Sequence, residues 1–124
     1  EIDQKGRIFS GHNGGDTRLL TIRHNTIFNQ QDQTDAISLF QDFGDQTNRV
    51  IDNNLMAGGG YTLYAGANAG ALPTSNIKVT NNVFSTQFWG GCGYYGPVAH
   101  WNAGGSGNVW SNNKMSNGQP VNPA

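Results

Sequence analysis

A pattern of alternating apolar and polar residues, interrupted by asparagine and resumed by apolar residues, occurs four times along the chain. The copies occupy residues 21–28, 50–56, 78–84 and 109–115. Aligned on Asn25, Asn54, Asn82 and Asn113, successive copies lie 29, 28 and 31 residues apart. The segments are short, β-branched and bounded by Gly and Asn, which predicts strands rather than helices. A repeat of this length predicts a solenoid with one coil per copy.

The alignment also stacks apolar residues into columns, which we expect to form the core. One column is Ile22, Ile51, Val79 and Trp110. A second takes one residue from each of the pairs Ile27/Phe28, Leu55/Met56 and Val83/Phe84. The pattern alone does not decide between the members of these pairs.

The four aligned asparagines are expected at a corner between two strands of each coil. Asn tolerates left-handed backbone angles, and its amide can hydrogen-bond to the Asn of the next coil. We therefore predict a ladder of stacked amides at this corner, with a structural role.

A further strand is predicted between the Asn corners, at residues 35–40 and 60–65. Matching Ile37 with Tyr61 and Leu39 with Leu63 points all four inward and sends Ser38, Phe40, Thr62 and Tyr64 outward. Residues 1–4 are expected at one edge of this sheet, with Asp3 outward. Residues 96–101 are expected at the other edge, with either His100 or Trp101 outward.

Composition narrows the class of protein. Only 12% of residues are charged and 18 are glycine, which favours turns and polar rungs over helices. With 124 residues, we expect a single domain over 1–124, in which residues 116–124 form a C-terminal tail able to cover the end of the stack.

A net charge of −1 argues against nucleic acid or an anionic membrane as partner, and no apolar run is long enough for a membrane helix. Cys92 is alone, so neither an intrachain disulfide nor a cysteine metal cage is expected.

The segments 20–27, 53–64, 93–98 and 107–110 together resemble the C-terminal coils of secreted bacterial right-handed parallel β-helix proteins of the pectate-lyase-like superfamily. The resemblance covers nearly the whole chain. It implies an all-β right-handed parallel β-helix of about four coils, a fragment of a longer helix from a secreted or extracellular protein that handles polysaccharide. The superfamily includes lyases, hydrolases, epimerases, phage spikes and adhesins, so the fold does not fix the activity. The resemblance allows a calcium ion, but the chain shows no clear Asp cluster like the calcium site of pectate lyases, so no metal or cofactor is expected.

Two reaction classes would need different residues. A uronan lyase must neutralise a sugar carboxylate and remove a proton; the available groups are His12, Arg18, Arg23, His24, Tyr64 and His100. A glycoside hydrolase needs two carboxylates across a groove; the candidates are Asp3, Asp35, Asp42 and Asp45. Spacing forces no two of these groups together, and the catalytic residues stay unassigned.

Aromatic side chains give the stronger local signal, because the C–H faces of sugars pack on Tyr and Trp. The predicted substrate-binding residues are Asp3, Phe40, Tyr64, Tyr94, Tyr95, His100 and Trp101, flanked by Trp89. The same aromatics could instead cover the sheet beneath the long loops. A non-catalytic structural, adhesion or interaction module is the alternative function, and the open ends of the coils could mediate self-association. An ice-binding solenoid ranks last, since flat arrays of Thr are missing.

Overall fold

The computed structural model describes residues 8–10, 19–39, 46–67 and 74–123. These residues form β-strands, turns and bends, and no helix occurs among them; none can therefore cross a membrane as a helix. The strands are β1 (Ile8–Ser10), β2 (Leu20–Arg23), β3 (Thr26–Asn29), β4 (Ile37–Leu39), β5 (Gln46–Asp52), β6 (Leu55–Gly58), β7 (Tyr61–Ala65), β8 (Thr74–Thr80), β9 (Val83–Phe84), β10 (Gly96–Ala99), β11 (Val109–Ser111) and β12 (Lys114–Met115).

The strands pair into three four-stranded sheets. Sheet A has the order β1-β4-β7-β10, sheet B the order β2-β5-β8-β11, and sheet C the order β3-β6-β9-β12. Every pairing within them is parallel. The chain thus visits A, B and C in turn, four times, and we call each such passage a coil. The prediction of an all-β protein with parallel strands is confirmed.

The register of the strands builds the core from stacked apolar columns. In sheet B, Ile22, Ile51, Val79 and Trp110 lie opposite one another, as the repeat predicts. In sheet C the column is Ile27, Met56, Phe84 and Met115, which settles the choice that the pattern left open. Ile51, Val79, Met56 and Phe84 are completely buried, and each such side chain stabilises the fold by about 1.5–3 kcal/mol.

Sheet A differs from the prediction in register. Ile37 lies opposite Leu63, not Tyr61, and Leu63 lies opposite Val98. The shift is two residues, so Ile37, Leu39 and Leu63 still face the core, because side chains alternate with a period of two. The strand beside β4 is β1, at Ile8–Ser10. Residues 1–4, which the sequence assigned to this edge, lie outside the described residues.

The predicted asparagine ladder is present. The side-chain amide of Asn25 donates to Asn54 Oδ1 at 3.2 Å, that of Asn54 to Asn82 Oδ1 at 3.1 Å, and that of Asn82 to Asn113 Oδ1 at 2.9 Å. The backbone N–H of each donor residue bonds to the same oxygen. The amides of the three later residues also reach strand carbonyls, such as Ile22 O at 2.9 Å from Asn54. The corner is therefore closed by polar groups that satisfy one another, and these are buried at Asn54, Asn82 and Asn113.

The left-handed conformation belongs to the residue before each ladder asparagine. Positive φ angles of 56–59° occur at His24, Asn53, Asn81 and Asn112. The sequence predicts that one Asn at each corner both adopts a left-handed backbone angle and hydrogen-bonds to the next coil. In the structure the first of two neighbouring residues adopts the left-handed angle, and the second, the ladder asparagine, makes the hydrogen bond.

The chain folds back after β12. The N–H of Val121 donates to Asn113 O at 2.8 Å, and the Trp110 indole N–H donates to Val121 O at 2.7 Å. The Val121 side chain is buried and joins the core, while Pro120 bridges to Lys114. Residues 119–121 consequently cover part of the last coil.

Candidate functional site

A continuous series of aromatic contacts runs along the outside of the corner between sheets C and A. We call it the aromatic belt. In contact order its rings belong to Phe28, Phe88, Trp89, Tyr94, Tyr95, Tyr61, Tyr64 and His100. Neighbouring ring centroids are between 4.9 and 6.2 Å apart, the range of favourable aromatic pairs.

The belt is positioned by the glycine turn at residues 58–60, which joins β6 to β7. Gly58 and Gly59 have φ angles of 92° and 77°, and a Cβ on Gly58 would overlap the carbonyl oxygen of Asn29. Glycine is thus required for both the conformation and the close approach. The N–H of Gly59 donates to Asn29 O at 3.0 Å, and that of Gly60 to Thr34 O at 2.9 Å. The turn is fixed against the preceding coil.

The loop carrying Tyr94 and Tyr95 is fixed to the other side of this turn. The N–H of Tyr94 donates to Gly59 O at 2.8 Å, and the N–H of Tyr95 donates to Gly60 O at 2.7 Å. Tyr94 is 53% exposed and Tyr95 is 69% exposed. These large side chains therefore face solvent from a backbone that is held by hydrogen bonds.

Cys92 anchors the base of the same loop. Its carbonyl accepts a hydrogen bond from the Gly58 N–H at 3.0 Å, and the Thr62 hydroxyl lies 3.1 Å from its Sγ. The thiol is completely buried, and burial raises its pKa to about 11. It is therefore held as a neutral thiol that packs in the core.

Edge-to-face contacts dominate the belt. The interplanar angle is 86° for both Trp89–Tyr94 and Tyr94–Tyr95, and 83° for Tyr61–Tyr64. Each ring edge rests on a neighbouring face, the arrangement that the ring quadrupole prefers. These contacts fix the orientation of the rings relative to one another, so that their faces point in several directions.

Asp32 and Asp35 lie on the segment whose backbone packs against the glycine turn. Asp35 is 2% exposed, and its charge raises the pKa of Tyr64, although burial of the phenol is the larger cause. Asp32 is exposed on the turn that precedes β4. Within the described ranges, no three His, Cys, Asp or Glu side chains are grouped as metal ligands.

The structure brings Tyr64, Tyr94, Tyr95 and His100 of the predicted binding set together in the belt, beside the flanking Trp89. Trp101 lies elsewhere: its ring is 5.3 Å from that of Trp110, and it packs against the core. Asp3 and Phe40 fall outside the described residues, as do His12, Arg18, Asp42 and Asp45.

Two residues expected on the outer face are inaccessible. Ser38 and Thr62 have no exposed surface, although Ser38 alternates with the inward Ile37 and Leu39. Thr62 is enclosed by the glycine turn and the Cys92 loop, with its hydroxyl 2.8 Å from Gly58 O. Alternation predicts the face of a strand but not what packs over that face.

Three belt residues were not predicted as site residues. Tyr61 was expected to point inward, whereas it is half-buried at the start of β7 and contacts both Tyr64 and Tyr95. Phe28 was an alternative for the core column, and Ile27 takes that place instead. Phe88 lies in the connection after β9, and its contact with Phe28 depends on the path of that loop, which carries no periodic signal.

The other ionisable candidates lie away from the belt. Arg23 Nε donates to Asp52 Oδ2 at 3.0 Å on the outer face of sheet B. Asp52 Oδ1 accepts hydrogen bonds from the Thr80 hydroxyl at 2.7 Å and the Asn81 amide at 2.9 Å. These bonds, with the Thr80 bond first, hold the pKa of Asp52 below its ordinary value. The His24 ring contacts the Asn53 amide at 3.2 Å. These groups link coils to one another.

Comparisons with models of protein families, with curated proteins and with solved structures yield no match.

Proposed function

We propose that this chain is a segment of a secreted, carbohydrate-active protein with the right-handed parallel β-helix fold of the pectate-lyase-like class, and that its aromatic belt binds an extended glycan. The fold part of this proposal is supported by the order of the sheets. Each stretch of 28–31 residues passes through A, B and C once and pairs in parallel with the next. Crossovers between parallel strands of one sheet are right-handed in about 98% of cases, which supports that hand here.

The observation that carries the functional proposal is the pair Tyr94 and Tyr95. Both rings are largely exposed, yet their backbone N–H groups are bonded to the glycine turn and their rings pack edge to face at 4.9 Å. Covering exposed aromatic area lowers the free energy. The C–H face of a sugar can pack on a tyrosine ring while the phenol hydroxyl stays in contact with water. Because the rings are already ordered, binding costs little conformational entropy.

Binding rather than cleavage is the activity we assign to the belt. Hydrolysis requires two carboxyl groups on the groove, roughly 5–9.5 Å apart. Asp32 is exposed beside the belt, but Asp35 is buried, so the described carboxylates do not form an accessible pair. The same observation favours a second candidate, a non-catalytic adhesion module that uses these rings on a protein partner.

The test is a glycan array probed with the protein and five single-residue variants, Tyr64→Ala, Tyr94→Ala, Tyr95→Ala, His100→Ala and Val109→Ala. Tyr94→Ala and Tyr95→Ala each remove an exposed ring and are expected to weaken glycan binding about tenfold. Val109→Ala is the control, because Val109 is 39% exposed on β11 of sheet B, outside the belt. Product analysis on the bound polysaccharides reports any cleavage.

Two outcomes count against this function. Failure to bind any neutral or acidic polysaccharide contradicts it. Glycan binding that survives both tyrosine substitutions, and also Tyr64→Ala and His100→Ala, removes the belt as the glycan-binding surface.

A further inference from the structure

Residues 116–121, which we call the C-terminal cap, occupy the outer edge of β12. The N–H of Met115 donates to Gln119 O at 2.8 Å, and Asn113 O accepts from the N–H of Val121 at 2.8 Å. The N–H groups on either side of Met115 donate to the preceding coil instead. The cap therefore takes the backbone groups of β12 that a further strand would use.

The cap pairs with β12 in the antiparallel sense, as the bridge between Lys114 and Pro120 shows. The strand pairings among the described residues are all parallel, so the cap reverses the direction that the coils repeat. This edge consequently accepts an antiparallel partner.

The cap also covers apolar surface at the end of the stack. Val121 is 5% exposed and belongs to the core cluster, against which Trp110 and Met115 pack while partly buried. The Trp110 indole N–H donates to Val121 O at 2.7 Å. Lifting the cap would uncover apolar side chains and unpaired strand groups together, the combination through which an edge recruits another chain.

A single turn connects the cap to β12. The N–H of Gly118 donates to Met115 O at 2.9 Å, and Gly118 has a φ angle of 88°. Glycine in this left-handed position is typical of hairpins that close with a tight turn. A Cβ on Gly118 would meet no atom within 4 Å, so a substitution there strains the turn and leaves the core untouched.

We propose that the edge beneath the C-terminal cap is a self-association surface, and that release of the cap lets β12 pair with β12 of a second copy of this chain. A two-fold axis in the plane of the last coil sets the two β12 strands antiparallel, the sense of pairing that the edge accepts from the cap. Trp110 and Met115 of the two copies then meet across the same axis. The contact is self-complementary, so it closes as a dimer, and it does not depend on glycan binding.

The test compares the unmodified protein with the double variant Gly118→Val/Val121→Asp by sedimentation velocity over about a hundredfold range of concentration. The first change strains the turn, and the second places a carboxylate in the apolar seat of the cap. The variant is expected to dimerise at least about tenfold more tightly, because each copy regains two backbone hydrogen bonds and covers its apolar end.

Gly104→Val is the matched control for the change at Gly118. Gly104 has no positive φ, and the nearest atom to its Cβ position is Asn102 Oδ1 at 3.7 Å. The same substitution there should leave the sedimentation of the protein unchanged.

Hydrogen exchange at the Met115 amide locates the contact. In the unmodified protein this N–H is bonded to the cap and should exchange slowly at every concentration. In the double variant it should exchange fast when dilute and become protected as the concentration rises. A synthetic peptide of residues 116–123 should compete with the dimer by occupying the same edge, whereas the peptide carrying Val121→Asp should not.

Slow alkylation of the buried Cys92 thiol shows that the coils of a variant are folded. The single variant Gly118→Val repeats the test with the core unchanged, so that unfolding of the double variant does not decide the outcome.

A folded variant whose Met115 amide exchanges fast and that stays monomeric throughout overturns the proposal. Dimerisation without protection of Met115 places the contact elsewhere and overturns it as well. Slow exchange of Met115 in the dilute variants would mean that the cap does not control access to the edge, and equal dimerisation of Gly104→Val would remove the role of the turn.

Discussion

The side chain of Asn54 donates a hydrogen bond to Asn82 Oδ1 at 3.1 Å, across 28 residues of sequence. Asn54 also accepts from the backbone and side chain of Asn25 and donates to Ile22 O. It is 2% exposed, so loss of its amide leaves several buried groups without partners. Asn54→Ala is therefore expected to lower the free energy of unfolding by about 2–4 kcal/mol in urea titrations.

Asn25→Ala is the matched comparison for that prediction, because Asn25 is the exposed first rung of the same ladder. Water can replace its bonds, and a loss near 1 kcal/mol is expected. Equal losses for the two variants would contradict a ladder whose strength depends on burial.

His24→Asn is expected to raise the stability. His24 has a φ angle of 59° at the position where the other three coils have Asn, and Asn adopts left-handed angles more readily. We expect a gain of about 0.5 kcal/mol, or roughly 2 °C in Tm. The reverse change at the other end of the row, Asn112→His, should lower Tm by a similar amount. A loss of stability in His24→Asn would show that the contact of the His24 ring with Asn53 contributes more than the preference of Asn for left-handed backbone angles.

Acid should weaken the link between coils at Asp52. Its pKa is below the ordinary 3.8 in the folded protein, so the unfolded chain binds the proton more readily. The stabilisation is complete above the unfolded pKa and is lost as pH falls from about 4 through the folded pKa. Urea unfolding between pH 2.5 and pH 6, values chosen to bracket the ordinary carboxyl range, should show a smaller acid loss in Asp52→Asn and in Thr80→Ala than in the unmodified protein. Identical pH profiles would contradict the assignment.

Trp101 should matter for stability and not for glycan binding. Its ring packs on Trp110 at 5.3 Å and against the core, so Trp101→Ala is expected to cost about 2–4 kcal/mol. Glycan affinity, measured at a temperature where the variant is folded, should stay within twofold of the original. A variant of normal stability that lost glycan binding would return Trp101 to the binding surface.

Cys92 provides a probe of the loop that carries Tyr94 and Tyr95. Its thiol is buried with a pKa of about 11, and it is the chain's single cysteine. Alkylation by iodoacetamide at pH 8 should be at least about tenfold slower in the native protein than in urea, because both burial and the small thiolate fraction protect it. Equal rates would mean that the loop opens readily from the glycine turn.

The repeat, the ladder and the core column of sheet B follow from the sequence because they rest on residues that recur at nearly fixed spacing, whereas the column of sheet C follows only up to a choice between adjacent residues. The register of sheet A does not, since matching Ile37 with Tyr61 or with Leu63 keeps the same faces inward. Only the position of the glycine turn, which starts β7 at Tyr61, decides between the two.

The belt could be predicted only in part, for a related reason. Tyr94 and Tyr95 stand out as aromatics in a glycine-rich loop, but their place beside Tyr61 is set by backbone bonds to Gly59 and Gly60. At the end of β10, a φ angle of 63° at His100 interrupts the alternation. The sequence therefore does not decide whether His100 or Trp101 points outward. In the structure His100 is exposed, whereas Trp101 packs against the core.

Glycan binding by the aromatic belt can be localised by mapping backbone amide chemical shifts while an oligosaccharide identified on the array is added. We expect the shifted amides to cluster at residues 58–64, 88–95 and 100, while those of β11 stay in place. Shifts that cluster on sheet B, or that leave Tyr94 and Tyr95 unmoved at saturation, would contradict it.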